Sequence, residues 1–163
     1  MSLAHSGLPK GIGKPGLLSI LDGLGRKHLA LPPTAFHLLR HFVLRAKAED
    51  FSAGRLCGNW ERVEDLATIL QVTPRAINLA VQKLEEGGYI QRTTAANGAR
   101  GASRVGDQLK WLRGISLKPL IEQIDRLKDK HEARQFEQEA VRSLRSAISS
   151  LWRQIRQSGD MDA

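Results

Sequence analysis

The chain has 163 residues, which suits one domain with an appendage and is too short for two independent domains. Only 5% of the residues are aromatic, so a core of Leu, Ile, Val and Ala in a mainly α fold is expected. The formal net charge of +8 predicts a polyanionic partner, and composition alone leaves both nucleic acid and an anionic membrane surface open.

The N-terminus, MSLAHSGLPK, lacks the apolar core of a signal peptide. No apolar run approaches the ~20 residues of a membrane span, so we expect a cytoplasmic protein without membrane insertion. The lone Cys57 fits a reducing compartment. Residues 1–16 contain four glycines, two prolines and two lysines, which predicts a flexible basic arm.

Helical patterning begins after the arm. Leucines and an isoleucine from 17 to 24 predict a short amphipathic helix that ends at Gly23 and Gly25. A second helix follows the prolines at 32 and 33, because apolar residues recur there at three- and four-residue spacings. Residues 52–60 are predicted as a loop or short extended link, and RVEDLATIL as a helix of two to three turns.

The next stretch, QVTPRAINLAVQKLEEGGYIQR, predicts a turn, a helix and the start of a strand. Thr73 is a good N-cap, and the following proline suits a first helical turn. Ile77, Val81 and Leu84 form the buried stripe, and the glycine pair at 87 and 88 ends the helix. With the preceding helix, this pattern predicts a helix-turn-helix.

A basic hairpin with a long flexible tip is expected after this helix, with Asn97-Gly98 and Gly101 as turn formers. Residues 91–113 hold Arg92, Arg100, Arg104, Lys110 and Arg113 against Asp107, a net charge of 5 minus 1, or +4. A helix-turn-helix followed by such a hairpin is the winged-helix plan, in which the second helix enters the major groove and the hairpin touches the flanking backbone or minor groove.

Beyond the hairpin, Ser116 can cap a long helix, with no strong breaker before Gly159. Arg134 and Gln138 interrupt its apolar edge. One long helix, or two helices with a bend near residues 128–138, are both compatible with this pattern. The predicted organisation is a flexible arm over 1–16, a winged-helix domain over 17–115, a long helix or helical hairpin over 116–157 and a disordered tail over 158–163.

The outward face of the second helix of the helix-turn-helix supplies the first candidate DNA contacts: Thr73, Arg75, Ala76, Asn78, Leu79, Gln82 and Lys83. Arg75 can donate two hydrogen bonds to guanine, and Asn78 or Gln82 can pair with adenine. Thr73 and nearby amides can bind a phosphate. The candidate wing contacts are Arg92, Asn97, Arg100 and Arg104. A solvated helix face without function is the alternative for the helix alone.

Other chemistry has weaker support. His37 and His41 have a metal-compatible spacing on a helix, but zinc usually needs three or four ligands, so no metal is predicted. No phosphate-binding loop, nucleophile elbow or HExxH pattern is present. We therefore expect a protein that is not an enzyme and needs no cofactor.

Three runs carry a family resemblance: GLPKGIGKPGLLSILDGLGRKHLALPPTAFHLLRHFV, VEDLATILQVTPRAINLAVQKLEEGGYIQRTTAANGARGASR and ISLKPLIEQIDRL. From about residue 7 to 157 the chain resembles the N-terminal domain of the plasmid replication initiator protein C family. The resemblance implies a winged helix that recognises duplex DNA, in the initiators at the replication origin. Members tend to carry more arginine along the recognition helix, so this chain is expected to depend more on its wing.

Full initiators look longer, with a second domain after the long helix, whereas this chain stops at Ala163. That difference favours a regulator of plasmid or mobile-element genes, acting on transcription, conjugal transfer or replication control. An origin-binding initiator or its truncated form is the alternative. A third hypothesis is a protein-protein interaction module that uses the C-terminal helix, through which a homodimer could also form.

Overall fold

A computed structural model describes residues 2–93 and 98–161, with side chains through residue 159. The helices are α1 (Lys14–His28), α2 (Pro33–Arg45), α3 (Val63–Leu70), α4 (Pro74–Glu86), α5 (Lys118–Glu122) and α6 (Ile124–Met161), with a 3-10 turn at Ala48–Phe51. The strands are β1 (Gly58–Asn59), β2 (Gln91–Arg92), β3 (Gly101–Val105), β4 (Gln108–Arg113) and β5 (Ile115–Ser116). The mainly α fold is confirmed.

The first two helices bring their apolar stripes into one core. Buried residues of α1 and α2 are Leu17, Ile20, Leu21, Leu24, Ala35, Leu38, Leu39, Phe42 and Val43. The predicted end of α1 needs correction, because the helix passes Gly23 and kinks at Gly25 before it ends at His28. Gly25 has φ +67°, a conformation that glycine adopts without a Cβ penalty.

The predicted arm over residues 1–16 lies against the domain from residue 2 onward. His5 is 3% exposed, and its backbone carbonyl accepts a hydrogen bond of 2.8 Å from the Gly54 amide. The Leu8 amide donates to the Phe51 carbonyl at 3.1 Å. We call residues 2–13 the N-terminal strap, and its contacts replace the expected flexible arm.

The helix-turn-helix forms where the periodicity predicts it. Gln71 adopts the left-handed conformation that ends α3, and Thr73 caps α4 through a hydrogen bond from the Ala76 amide at 3.1 Å. Ile77, Val81 and Leu84 are buried, with exposures of 2% or less. α4 ends at Glu86, before the glycine pair. The predicted buried stripe is confirmed.

β1, β5 and β2 form a small antiparallel sheet, in which the central β5 pairs with both β1 and β2. β3 and β4 form the wing hairpin, in which Val105 lies opposite Gln108. The hairpin turn is therefore at Gly106-Asp107. Of the predicted turn formers, Gly101 lies in β3, and Asn97 lies outside the described residues. Gly106 has φ +66°, which suits this turn.

The region after the wing contributes to the winged-helix core beyond the predicted boundary at 115. Leu117, Leu120, Ile121, Ile124 and Leu127 are buried in the core cluster. The compact unit accordingly extends over Met1–Lys128, and Asp129–Ala163 forms a second unit.

The predicted start of the long helix needs correction, because a short α5 ends at Glu122 and α6 begins only at Ile124. The N-cap of α5 is Leu117 and not Ser116, although the Ser116 side chain accepts a hydrogen bond from the Lys118 amide at 3.2 Å. α6 is α-helical throughout residues 128–138, so the chain does not divide into two helices there. The helix ends at Met161, beyond the predicted limit of 157. The tail predicted over 158–163 is therefore helical as far as residue 161.

Candidate nucleic-acid interface

The outward face of α4 is the first part of the candidate interface. Thr73, Arg75, Asn78, Leu79, Gln82 and Lys83 are exposed, and Ala76 is half-buried. These positions face away from the core because the apolar stripe fixes the rotation of the helix. The structure thus brings the whole predicted set together on one helix, whose N-terminus offers backbone amides.

The polar groups on this face differ in how they are engaged. Lys83 lies 3.6 Å from a Glu86 carboxylate oxygen, and the Gln82 amide donates to the same carboxylate at 3.0 Å. Arg75 makes no ion pair or side-chain hydrogen bond within the described part of the chain. Arg75 is therefore the cation of α4 that an incoming phosphate or guanine can engage at the smallest cost.

Arg104, a predicted wing contact, is held inside the domain. Its guanidinium donates to both carboxylate oxygens of Asp50, at 2.9 and 2.7 Å, and lies 5.9 Å from the Trp60 ring centroid. The Asp50 side chain is 1% exposed. The hydrogen bonds that Arg104 donates to the Asp50 carboxylate raise the pKa of Arg104. Arg104 therefore fixes the wing to the 3-10 turn.

Arg92 and Arg100 also have partners within the domain. The Arg92 guanidinium donates to a Glu85 carboxylate oxygen at 2.8 and 3.1 Å, and this contact lowers the pKa of Glu85. Arg100 donates to the Glu61 carbonyl at 2.8 Å, and burial lowers its pKa. Asn97, the remaining predicted wing contact, lies outside the described residues.

The exposed cations of β4 are Lys110 and Arg113. Neither forms an ion pair within residues 2–93 and 98–159. Trp111 lies between them and is 46% exposed, and the Arg113 guanidinium carbon lies 5.2 Å from the centroid of its ring. These three residues were not among the predicted contacts. Strict alternation along QLKWLR would place Trp111 on the inward face with Leu109. An irregularity in the pairing opposite Ser103 and Arg104 makes Leu109 and Leu112 the buried residues instead, and the sequence gives no signal of it.

The two histidines of α2 do not meet a metal-like ligand set. His41 lies 2.9 Å from a Glu61 carboxylate oxygen, which also accepts from the Asn59 amide at 2.8 Å. Among the described residues, no three His, Cys, Asp or Glu side chains are grouped as metal ligands. Cys57 is buried, and burial raises its thiol pKa. No described helix combines the length and apolar character needed to cross a bilayer.

Comparison with known proteins gives one family. No curated protein and no solved structure matches the chain significantly. The family model described as "Replication protein C N-terminal domain" matches residues 6–162, nearly the whole chain. This match agrees with the resemblance carried by the three sequence runs. The chain therefore belongs to the replication protein C N-terminal domain family.

Proposed function

We propose that the chain binds duplex DNA in a sequence-specific way, with α4 in the major groove and the wing on the flanking backbone. The observation that supports the proposal is the outward face of α4, where Arg75, Asn78 and Gln82 are exposed together. Exposed Lys110 and Arg113 on β4 add basic charge. Family membership supports a replication initiator-like role on plasmid or related mobile DNA.

On α4, the proposed division of labour follows from the type and position of each side chain. The Thr73 hydroxyl and the Arg75 amide bind a phosphate, since the helix dipole favours an anion there. Pro74 has no N–H, and the Ala76 and Ile77 amides already donate to Thr73. Arg75 reads guanine, and Asn78 reads adenine, in the major groove. Lys83, farther along the helix, contacts the DNA backbone once its ion pair with Glu86 is broken.

On the wing, the exposed pair Lys110 and Arg113 supplies phosphate contacts. Arg104 acts differently, because a bidentate pair with a buried carboxylate positions the hairpin and leaves little charge for DNA. Lys110 and Arg113, rather than Arg104, therefore contribute the wing's share of the affinity for DNA.

The test begins with selection of fragments from the host's own DNA that the chain binds, followed by footprinting. On a selected site, Arg75→Ala should weaken binding by about 1–3 kcal/mol and relax the base preference. Lys110→Ala should weaken all sequences alike and make the slope of log affinity against log salt shallower by about 0.9. Arg153→Ala removes an equal charge from α6 and serves as the control.

The positions of the footprints decide the biological role. Sites at a replication origin would support initiation, which the family match favours. Sites over promoters would support regulation of replication or conjugal transfer genes. Binding without any footprint, or Arg75→Ala and Lys110→Ala variants that both bind like the wild type, would contradict the proposal.

Self-association through α6 is a second proposal, supported by its exposed apolar residues. Val141, Leu144, Ile148, Leu151 and Ile155 are 46–62% exposed and alternate in three- and four-residue steps. Alternating three- and four-residue steps are typical of the apolar seam of a coiled coil. Sedimentation equilibrium should show a dimer that Ile148→Glu abolishes and Ser146→Glu, on the opposite face, preserves. A monomeric wild type would refute this proposal.

A further inference from the structure

Trp111 is the exposed aromatic residue of the wing, and duplex phosphate binding gives it no role. It lies on β4 opposite Ser103 of β3. The indole lies over the neighbouring Gly101, where an added Cβ would be 3.4 Å from Cη2. A large ring left 46% exposed forgoes part of the free energy gained on burial. A ligand that covers the ring would recover it.

Charge identifies the chemistry of such a ligand. Arg113 lies over the indole at 5.2 Å, and Lys110 precedes it on the same strand and is exposed. Within the described residues, neither cation is paired with a carboxylate, in contrast to Arg92 and Arg104. The surface formed by Lys110, Trp111 and Arg113, which we call the wing platform, fits a ligand that combines anionic groups with a flat ring.

A paired duplex does not offer both features to this surface. Base faces inside a duplex are covered by stacking, so proteins reach only base edges and phosphates. An unpaired strand exposes the faces of its bases. Proteins that hold single strands combine cations along the backbone with aromatic side chains on which bases stack, and a guanidinium plane can serve as a further stacking surface.

We propose that the wing platform binds single-stranded DNA, with a base stacked on Trp111 and neighbouring phosphates on Lys110 and Arg113. This activity is separate from base reading by α4 and does not depend on it. Because replication requires the two strands to part, the platform gives a member of this family a means of holding an opened strand.

Fluorescence anisotropy of a labelled oligothymidylate, titrated with the full chain, tests the proposal. Trp111→Ala should weaken binding by about 5- to 150-fold, the range given by the loss of one stacked base. Trp111→Phe keeps an aromatic ring and should retain most of the affinity. Trp152→Ala removes the exposed tryptophan of α6 and should bind like the wild type.

Two further measurements keep the test decisive. In a chain carrying Trp60→Phe and Trp152→Phe, the fluorescence of Trp111 should be quenched as oligothymidylate saturates the protein. The affinity of Trp111→Ala for a selected duplex should stay within about twofold of the wild type, since phosphate contacts remain. Circular dichroism of each variant checks that the domain is folded.

Three results would overturn the proposal. These are a wild type that does not bind oligothymidylate, a saturated complex with unchanged Trp111 emission, and an equal loss of duplex and single-strand binding in a folded Trp111→Ala. Failure of duplex recognition has a different signature. A chain that binds oligothymidylate through Trp111 but yields no footprint would refute the proposed function and leave the wing platform intact.

Discussion

Arg104 of the wing and Asp50 of the 3-10 turn form a bidentate ion pair, with N–O distances of 2.9 and 2.7 Å. Asp50 is almost completely buried and Arg104 is 20% exposed. Removing one charge would leave the other without its partner, so Asp50→Asn should lower the free energy of unfolding by about 3–5 kcal/mol. Urea denaturation measures this loss.

The pair of Arg40 with Asp22 provides the matched comparison. Both of its side chains are 38–45% exposed, so Asp22→Asn should cost about 1 kcal/mol or less. Hydrogen exchange adds a local measure, because the β3 and β4 amides should lose protection in Asp50→Asn. Equal costs for the two variants would show that Asp50 does not anchor the wing.

The same turn holds the N-terminal strap through His5. Its Nε2 donates to the Asp50 carbonyl at 2.6 Å, and its Nδ1 accepts from the Gly7 amide at 2.9 Å. The bond accepted by Nδ1 requires the neutral ring, because a protonated Nδ1 cannot accept, and burial lowers the pKa of His5 below its usual value. The unfolded chain therefore binds a proton more readily. The stability from neutral His5 is present above about pH 6.5 and falls as the pH drops below it.

We expect the strap to loosen progressively as the pH falls below about 6.5, the usual pKa of histidine. Hydrogen exchange of the Leu8 amide, which bonds to Phe51, should rise over this range relative to its intrinsic rate. His5→Ala should show fast exchange at every pH. A wild-type strap that keeps its protection at pH 5 would contradict this coupling.

A close approach of two strands makes Gly58 irreplaceable. A Cβ at this position would lie 2.0 Å from the Ile115 carbonyl oxygen and 2.5 Å from Leu112. Gly58→Ala must therefore displace β5 from β1, at a cost of about 1–3 kcal/mol or more. Gly13→Ala, where the nearest side-chain atom would be 3.6 Å away, is the control. Equal melting temperatures would count against the β1–β5 pairing.

The helical framework was predictable because it is encoded locally. Ile77, Val81 and Leu84 repeat at helical spacing, and Thr73 marks the start of α4, so the helix-turn-helix and its outward face follow from neighbouring residues. The buried face fixes the other face by geometry. Nothing distant in sequence needs to be known for either.

The wing was harder to predict because its contacts are not local. Asp50 and Arg104 are far apart in the chain, and a count of charges cannot show that one neutralises the other. The hairpin turn at Gly106-Asp107 was missed for a related reason, since Asn97-Gly98 and Gly101 have stronger turn chemistry in the sequence. Strand pairing over Gly101–Val105 decided the position instead.

The N-cap of α4, Thr73, contributes to the stability of the fold. The Thr73 hydroxyl satisfies the Ala76 amide, so Thr73→Ala should cost about 1 kcal/mol in the free energy of unfolding. Thr73→Ser retains the hydroxyl and should be close to the wild type. Thermal denaturation of the three proteins checks the order, and a loss in Thr73→Ser as large as in Thr73→Ala would exclude capping as the cause.

Glu85 limits the contribution of Arg92 to DNA binding, because the two side chains are paired at 2.8 Å. Glu85→Gln removes this competing anion and makes Arg92 available to a phosphate. We expect affinity for a selected duplex to rise by about two- to fivefold, the range of an exposed pair, with a salt slope steeper by up to about 0.9. Anisotropy titrations at several salt concentrations measure both. Glu132→Gln removes an equal charge from α6 and should leave the slope unchanged. If Glu85→Gln bound DNA no better than Glu132→Gln, Arg92 would have no phosphate contact to gain.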